Sequence, residues 1–440
     1  MGVSCTGHGK GLYLWGKDGR PAACGIISTD TRAHEYISRW SMDGTAKKAK
    51  EKTFQQVLVS LPCALLAWMK DYRPKVYGNI KWVFEAKDYI RFRLTGQAMG
   101  ELTDYSGTNL VSLLTNTYDP ELFELFGIPE LADCFSRLCT SNDFCGTVTA
   151  EAAKATGLCE GTRVAGGMFD IDACALAAGV VDGRSLCVIA GTWGINEYLS
   201  RMPVKDGSIS MNSVFALPEY YLVEESSPTS AGNLEWFINS VLDADKEEAR
   251  RQGKLYYDEL NVMADSLGPE DQDVIYLTYL FGSPANPQAR GCLLGMTSFD
   301  SKRHIVRAVY EGVVFCHYSH IEKLLLSRDR PDCIRLTGGA ANSPVWVRIF
   351  ADVCGLSVIT VPVHEPGALG CAMNAAVMAG VYGGYREAAE HMITEGIRVE
   401  PDMERHKIYQ RKYEIYRSLA RTLDLVWAEW MMQEEKADGE

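Results

Sequence analysis

Between residues 302 and 380 the chain alternates helix and strand in an order that a mixed α/β layer structure accommodates best. Lys302–Leu325 carries apolar residues at Ile305, Val306, Val309, Val313, Val314, Ile321, Leu324 and Leu325, the spacing of a helix with one buried face. Cys333–Thr337 reads as a strand ending in TGGAANSPVW. There Ser343 can cap the next helix, and Pro344 sits at its first position, where a missing N–H costs nothing. A second strand, Val358–Val363, leads into the Gly/Ala-rich run EPGALGCAMNAAVMAG, suited to a helix packed closely on a sheet. Strand–helix alternation of this kind predicts an α/β fold. The 440 residues, 47% of them hydrophobic, supply material for two cores, so two domains are expected.

The earlier part of the chain is less regular. Gly11–Trp15 reads as a strand leading to a Lys17-Asp18-Gly19 hairpin turn. Helical patterns cover Phe54–Lys70 and Asp88–Leu94, the latter stopped by a glycine, and residues 147–157 form a short helix closed by Gly157. Val164–Asp170 is expected as a strand ending in a carboxylate, and Ile171–Ala178 as a small-residue helix. Leu186–Ala190 and Ile195–Leu199 read as strands joined by Gly191-Thr192-Trp193-Gly194, and a domain boundary is expected near residue 181.

Charge and cysteine content narrow the function classes. With 44 basic and 57 acidic residues the net charge is −13, which disfavours nucleic acid and anionic membranes as main partners. A nucleotide site remains open, because backbone N–H groups and a bound metal can hold phosphate locally. The start, MGVSCTGHGKGLYL, lacks the basic and apolar regions of a secretory signal, and no apolar run is long enough for a bilayer. Fourteen cysteines are spread along the chain without a C-x-x-C pair, so reduced, buried thiols and a cytoplasmic location are expected.

Four constellations are candidates for chemistry. Asp170, at a strand end after Gly166-Gly167, is placed as a general base would be, but an Asp there also suits a helix cap, and Asp172 competes for either role. Gly191–Gly194 is a tight turn whose amides and Thr192 hydroxyl can hold phosphate oxygens, or an ordinary hairpin turn. Thr337–Ser343 lets a ring or phosphate approach the backbone, or is a plain strand–helix turn. Gly7-His8-Gly9-Lys10 offers His8 to a sugar hydroxyl, or is a mobile loop. The absence of G-x-G-x-x-G here counts against a Rossmann dehydrogenase.

Their order and spacing resemble the FGGY carbohydrate kinases, within the two-domain actin-like ATPase (ribonuclease H-like) fold, over almost all of residues 1–425. GVSCTGHG is similar to the family's sugar-site segment, AACGIISTDTRA to the stretch after it, and GGMFDIDACALAAG to its catalytic-base motif. CVIAGTWG resembles the second phosphate loop. LTGGAANSPVWVRIFADVCGLSVITVPVHEPGALGCAMNAAVMAG resembles the adenosine signature with the helix that follows it. SSPTSAGNLEWF and the YEGVVF helix look like the L-xylulose kinase branch, close to the xylulokinases. The resemblance implies an N-terminal sugar-binding domain, 1–181, and a C-terminal nucleotide-binding domain, 182–440. It implies ATP-dependent phosphorylation of a sugar hydroxyl, with a ketopentose such as L-xylulose or xylulose as acceptor and domain closure aligning the γ-phosphate. Asp170 would be the base and a ligand of Mg²⁺; Gly7, His8 and Asp30 would contact sugar. Gly191 and Thr192 would meet phosphates, Gly232 and Glu235 would border the nucleotide, and Gly338, Gly339, Ala340 and Ser343 would line the adenosine pocket. A homodimer is the family-level expectation.

The family opens with a strand, a D-x-G-T-type phosphate turn and two more strands, whereas Met1–Ser4 aligns with the end of the third strand. The N-terminal domain is therefore expected to be incomplete and the activity of the chain weak or absent, since a wall of the phosphate site would be lost. A catalytically inactive sugar- or nucleotide-binding pseudokinase is the alternative. An acetate-kinase-type or chaperone ATPase fits less well, because it would not combine the sugar segment, the Asp170 motif and the adenosine signature.

Overall fold

The computed structural model describes residues 2–283, 286 and 288–437. The chain forms two compact units. The first comprises Met1–Gly183, Tyr198–Glu224 and Glu365–Ile393, and the second Arg184–Glu197, Glu225–His364 and Thr394–Glu440. The division read from the sequence at 181/182 falls beside the first crossing; the two later returns to the first unit have no counterpart in that reading.

The first unit is built around short strands and buried helices. Tyr13–Gly16 pairs antiparallel with Ile80–Phe84, and the expected turn follows it, with Gly16 N–H donating to Arg20 O at 2.7 Å. Pro62–Tyr72 buries seven of its eleven residues, Pro62–Ala67 and Met69, and all of these but Pro62 belong to one apolar cluster. The expected helix Phe54–Lys70 is thus corrected at its start. Phe54 (φ 52°) ends the preceding helix Thr45–Thr53, and Gln55 is buried with its amide donating to Ser106 O at 2.7 Å, so the chain turns inward before Pro62 restarts a helix. The expected strand Val164–Asp170 is likewise two pieces, Arg163–Ala165 and Met168–Phe169, broken where Gly167 takes φ +85°.

The helix Ala86–Thr95 buries charged side chains. Lys87, Asp88 and Arg91 on this helix are each at most 1% exposed. The Lys87 ammonium lies 2.6 Å from Asp88, 3.3 Å from Glu101 and 3.2 Å from Asp104, and Arg91 lies 2.7 Å from Asp88. Arg91 also donates to Met99 O at 2.6 Å and to Gly166 O. Burial alone would strip the proton from Lys87, but Asp88, Asp104 and Glu101 outweigh it and hold the group charged.

Pro366–Met378 lies against Asp170–Ala177, both helices being rich in small residues. A Cβ at Gly370 would collide with the carbonyl oxygen of Ala173 and sit 2.7 Å from its Cα. Asn374 anchors the same helix, donating to Ser4 Oγ at 2.8 Å and Ser141 O at 2.9 Å.

The second unit carries a sheet in which Ser185–Ala190 runs antiparallel to Gly194–Ser200 and parallel to Cys333–Thr337, which in turn runs parallel to Val358–Thr360. The helix Lys302–Leu325 has the bounds read from the sequence and starts at a capping box made by Ser301 and His304. Trp346 stacks on Tyr310 at 4.5 Å and donates its indole N–H to Tyr310 O at 3.0 Å. Ser343 caps Pro344–Cys354 by accepting from Trp346 N at 3.2 Å, as its sequence context predicts. All fourteen cysteines are free thiols, and no described helix is long and apolar enough to cross a membrane.

Gly370→Ala is expected to lower the midpoint of chemical unfolding, followed by circular dichroism, by the equivalent of about 1–3 kcal/mol, the usual cost of overpacking a filled contact. An unchanged midpoint would mean that the two helices have room to part.

Candidate active site

In the first unit, Thr6–Gly7 and Met168–Phe169 pair in parallel, with Thr6 opposite Met168 and Gly7 opposite Phe169. Parallel strands end on the same side, so the next residue of each, His8 and Asp170, emerge together. The crevice beyond the carboxyl ends of parallel strands is where α/β proteins bind ligands. The backbone here is pinned. Thr6 Oγ donates to Met168 O at 2.9 Å, and Phe169 N–H donates to Thr103 Oγ at 2.9 Å. Thr103 in turn donates to Glu101 at 2.7 Å, which ties Asp170 through its neighbour to the Lys87 cluster.

Asp170 opens the helix Asp170–Ala177, but the cap position is held by Phe169 and no side chain caps it. Its carboxyl is partly exposed, while Asp172 is fully buried. Of the two competing carboxylates, only Asp170 can meet a ligand. Burial pushes the Asp170 pKa up from 3.8 to about 6; the Ile171 amide, His8 and Lys10 pull it down, and Glu224 raises it further. Asp172 is driven well above the usual carboxylate range by burial and by Glu101 and Asp104. His8 is oriented by Tyr13, with Nε2 2.9 Å from the phenol oxygen, and by Gly9 O, 3.3 Å from Nδ1. If Nδ1–H donates to Gly9 O, Nε2 accepts from Tyr13. Tyr13 also borders a cavity of about 610 Å³ shared with Arg20, Cys24 and Tyr89.

Asp30 stands differently. Its carboxylate is held below the ordinary range by a two-bond pair with Arg32, at 2.8 Å from Nε and 2.8 Å from Nη2. No hydrogen bond or ion pair among the described residues joins it to His8 or Asp170.

The second unit repeats the same device. Ser185–Ala190 and Cys333–Thr337 are parallel with Ile189 opposite Thr337, so Gly191-Thr192 and Gly338-Gly339 leave the sheet side by side. Gly338 has φ +89°, and a Cβ there would lie 2.8 Å from Ala190 O and 3.1 Å from Gly191 N, so glycine is needed for both conformation and space. Gly232, the first residue of the helix Gly232–Val241, packs on Thr192, a Cβ there falling 3.3 Å from Thr192 O. The start of that helix therefore lies beside the Thr192 turn, where the helix dipole favours an anion, although the N–H groups of Asn233 and Leu234 are already engaged by Ser230 O and Ala231 O. Glu235 is exposed in the first turn of that helix. Ala340 is fully buried, and Ser343 is 7% exposed with its hydroxyl donating to Asn261 at 2.6 Å, so these two build the floor of the turn while Gly338 and Gly339 present backbone.

His317, absent from the sequence reading, supports this turn. Its Nδ1 lies 2.8 Å from Asn196 Oδ1 and its Nε2 2.7 Å from Ser230 Oγ; burial lowers its pKa to about 3, so it is neutral. It fixes the strand after Gly194 and the residues just before Gly232 in one contact. A histidine inside an apolar helix face gives no local signal of that task.

Among the described residues no three His, Cys, Asp or Glu side chains group to hold a metal alone. Mg²⁺ does not require such a group, since it binds through one or two carboxylates together with phosphate oxygens and water. The partly exposed Asp170 carboxyl is a donor of that kind.

The Asp170 carboxyl is expected to titrate near 6. An infrared difference titration of wild type against Asp170→Asn reads it directly, and a midpoint at or below 3.8 would show that burial does not dominate.

Comparison with known proteins places the chain in a family. The model of the FGGY family of carbohydrate kinases, N-terminal domain, matches residues 1–177, and that of the C-terminal domain matches residues 186–379. The L-xylulose/3-keto-L-gulonate kinase of Escherichia coli (strain K12) is 35% identical over 425 residues, covering 96% of this chain and 83% of that protein. The probable L-xylulose kinase of Pasteurella multocida (strain Pm70) is 32% identical, covering 96% and 84%. The crystal structure of gluconate kinase from Lactobacillus acidophilus superposes with a TM-score of 0.88 at 22% identity, over 98% of this chain and 85% of that one. The N-terminal match begins at residue 1 and does not bear out the expected absence of a phosphate-turn segment. The chain belongs to the FGGY family of carbohydrate kinases and is a phosphotransferase acting on a sugar.

Proposed function

We propose that the protein transfers the γ-phosphoryl group of ATP to a hydroxyl of a ketopentose, L-xylulose or xylulose, with Asp170 as general base. The observation that carries this reading is the partly exposed Asp170 carboxyl, its pKa raised to about 6, emerging beside His8 at the ends of two parallel strands. A base of that pKa is ionised at neutral pH yet still basic enough to share the proton of an attacking hydroxyl. The 35% identity to the L-xylulose/3-keto-L-gulonate kinase supports the choice of acceptor.

In the first unit, His8 and the Gly7 backbone would hold the acceptor, with Asp30 contributing from its pair with Arg32. In the second, the Thr192 hydroxyl and the backbone at Gly191, whose own N–H donates to Trp193 O at 3.2 Å, would meet phosphate oxygens at the start of the Gly232 helix. Gly338 and Gly339 would admit the adenosine, with Ala340 and Ser343 beneath and Glu235 at the rim. Asp170 would serve as a carboxylate ligand of Mg²⁺, which would supply charge neutralisation at phosphate oxygens. Phosphoryl transfer of this kind depends mostly on positioning and charge stabilisation.

Purified protein with Mg-ATP and a panel of ketopentoses and pentitols should release ADP only with the true acceptor. Asp170→Asn is expected to lower kcat by about 10²–10⁴-fold, with little change in nucleotide affinity. No acceptor-dependent release from a folded, nucleotide-binding chain would overturn the reading. Because the base works deprotonated, kcat/KM should fall about tenfold per pH unit below pH 6. A flat acid limb down to pH 4.5 would exclude Asp170 as the titrating base.

A further inference from the structure

Two buried thiols lie together behind the backbone that leads to Asp170. Cys139 ends the strand Leu138–Cys139, Cys145 lies in the strand Phe144–Thr147, and their Sγ atoms are 3.6 Å apart. With Met99 they form a small cluster of their own, and Arg91 donates to Met99 O at 2.6 Å, so a guanidinium borders the sulfurs. The hydrogen bond from Cys139 holds Cys145 below the ordinary thiol value against burial, and Arg91 adds to it. Cys139 is raised in turn by the same bond and by burial. One sulfur is thus the readier to ionise while its neighbour keeps a proton, the pairing in which one attacks and the other resolves. The pair sits one layer beneath the surface, since Thr140, Asp143 and Phe144 are exposed.

The loop between the two sulfurs holds the glycines that precede the base. Gly166 N–H donates to Asp143 O at 3.0 Å, and Gly167 N–H donates to Ser141 O at 3.1 Å. A Cβ on Gly166 would collide with Thr140 O, so this contact has no slack. Ser141 Oγ also donates to Glu101 at 2.9 Å, and Ser141 O accepts from Asn374 at 2.9 Å. A covalent S–S bond is far shorter than the 3.6 Å contact. Forming it draws residues 139 and 145 together and moves the loop against Gly166-Gly167, two residues before the strand end at Phe169.

We propose that Cys139 and Cys145 are a thiol-oxidation site: a hydroperoxide converts them to a disulfide, which displaces the loop holding Gly166-Gly167 and so misplaces Asp170. The Cys145 thiolate attacks the peroxide, its S–O bond forming as the O–O bond breaks and water leaves. The Cys139 sulfur then attacks that sulfenic acid, the S–S bond forming as the S–O bond breaks and a second water leaves. Two thiols are oxidised, one peroxide is reduced, and a dithiol reverses the change.

The test treats the full reduced chain with hydrogen peroxide and reads intact mass without reductant, together with amide hydrogen exchange. The mass should fall by about 2 Da, with the two cysteines linked after cleavage at Asp143. Exchange at Gly166 and Gly167 should quicken about tenfold or more and return to its starting rate with dithiothreitol, while that of the helix Lys302–Leu325 stays put. Cys139→Ser should abolish both responses; should that variant not fold, wild type before and after dithiothreitol decides alone. Oxygen added to either sulfur without the link, or a linked chain whose exchange at 166 and 167 is unaltered, overturns the proposal. Sugar-dependent ADP release should slow about tenfold or more in the linked chain, and release indifferent to the link overturns the coupling to Asp170. A reduced chain that releases no ADP, yet shows the link and the faster exchange, sinks the kinase reading and leaves the oxidation site standing.

Discussion

An ammonium group buried among three carboxylates organises the first unit. Lys87 cannot be solvated, so its charge survives only while Asp88, Glu101 and Asp104 stay within 2.6–3.3 Å of it. Removing one partner from a buried pair typically costs 3–5 kcal/mol because a bare charge is left behind. That penalty fixes two stretches of backbone against each other, the helix bearing Lys87 and Asp88 and the segment from Glu101 to Asp104. Through Glu101 and Thr103 it reaches the amide of Phe169, and so the direction in which Asp170 leaves its strand. The carboxyl proposed as base is thus positioned by electrostatics it does not itself share.

Both units use one arrangement to make a site. Two neighbouring parallel strands end together, and the loops that follow are held by glycines packed on neighbouring backbone, Gly167 on Cys5 O and Gly338 on Ala190 O. In the first unit the loops present side chains, His8 and Asp170. In the second they present backbone, at Gly191, Gly338 and the start of the Gly232 helix. The difference suits the ligands: an acceptor hydroxyl needs a proton taken, whereas phosphate oxygens need N–H groups.

The parts of the structure that depend on local signals were legible in the sequence. Lys302–Leu325 and Cys333–Thr337 have the bounds their periodicity indicates, Ser343 caps its helix, and Gly157 ends Ala150–Thr156 in the left-handed conformation. What depends on distant partners was not. Asp88–Leu94 reads as a helix, but nothing local shows that Lys87, Asp88 and Arg91 are buried; Glu101, Asp104 and the Gly166 carbonyl, distant in sequence, make them part of a core. Phe54 looks like the first apolar residue of a helix, yet it closes the one before. His8 and Asp170 are 162 residues apart in sequence, the separation of the paired Thr6 and Met168, and their proximity could be read only through family resemblance. Asp30 shows the opposite limit: a carboxylate with the right sequence context is engaged by its neighbour Arg32.

The route of the chain also sets an order of assembly. The helix that begins at Asp170 packs on Pro366–Met378, which belongs to the same unit although most of the second unit lies between them in sequence. On a ribosome adding 5–20 residues per second, the helix bearing the base waits on the order of 10–40 s for its partner. Its small-residue face is uncovered throughout that interval. The first unit therefore cannot finish until residues 365–393 have been made, after most of the second unit. A ribosome stalled between these two helices would leave the acceptor half unfinished however well its earlier segments had folded.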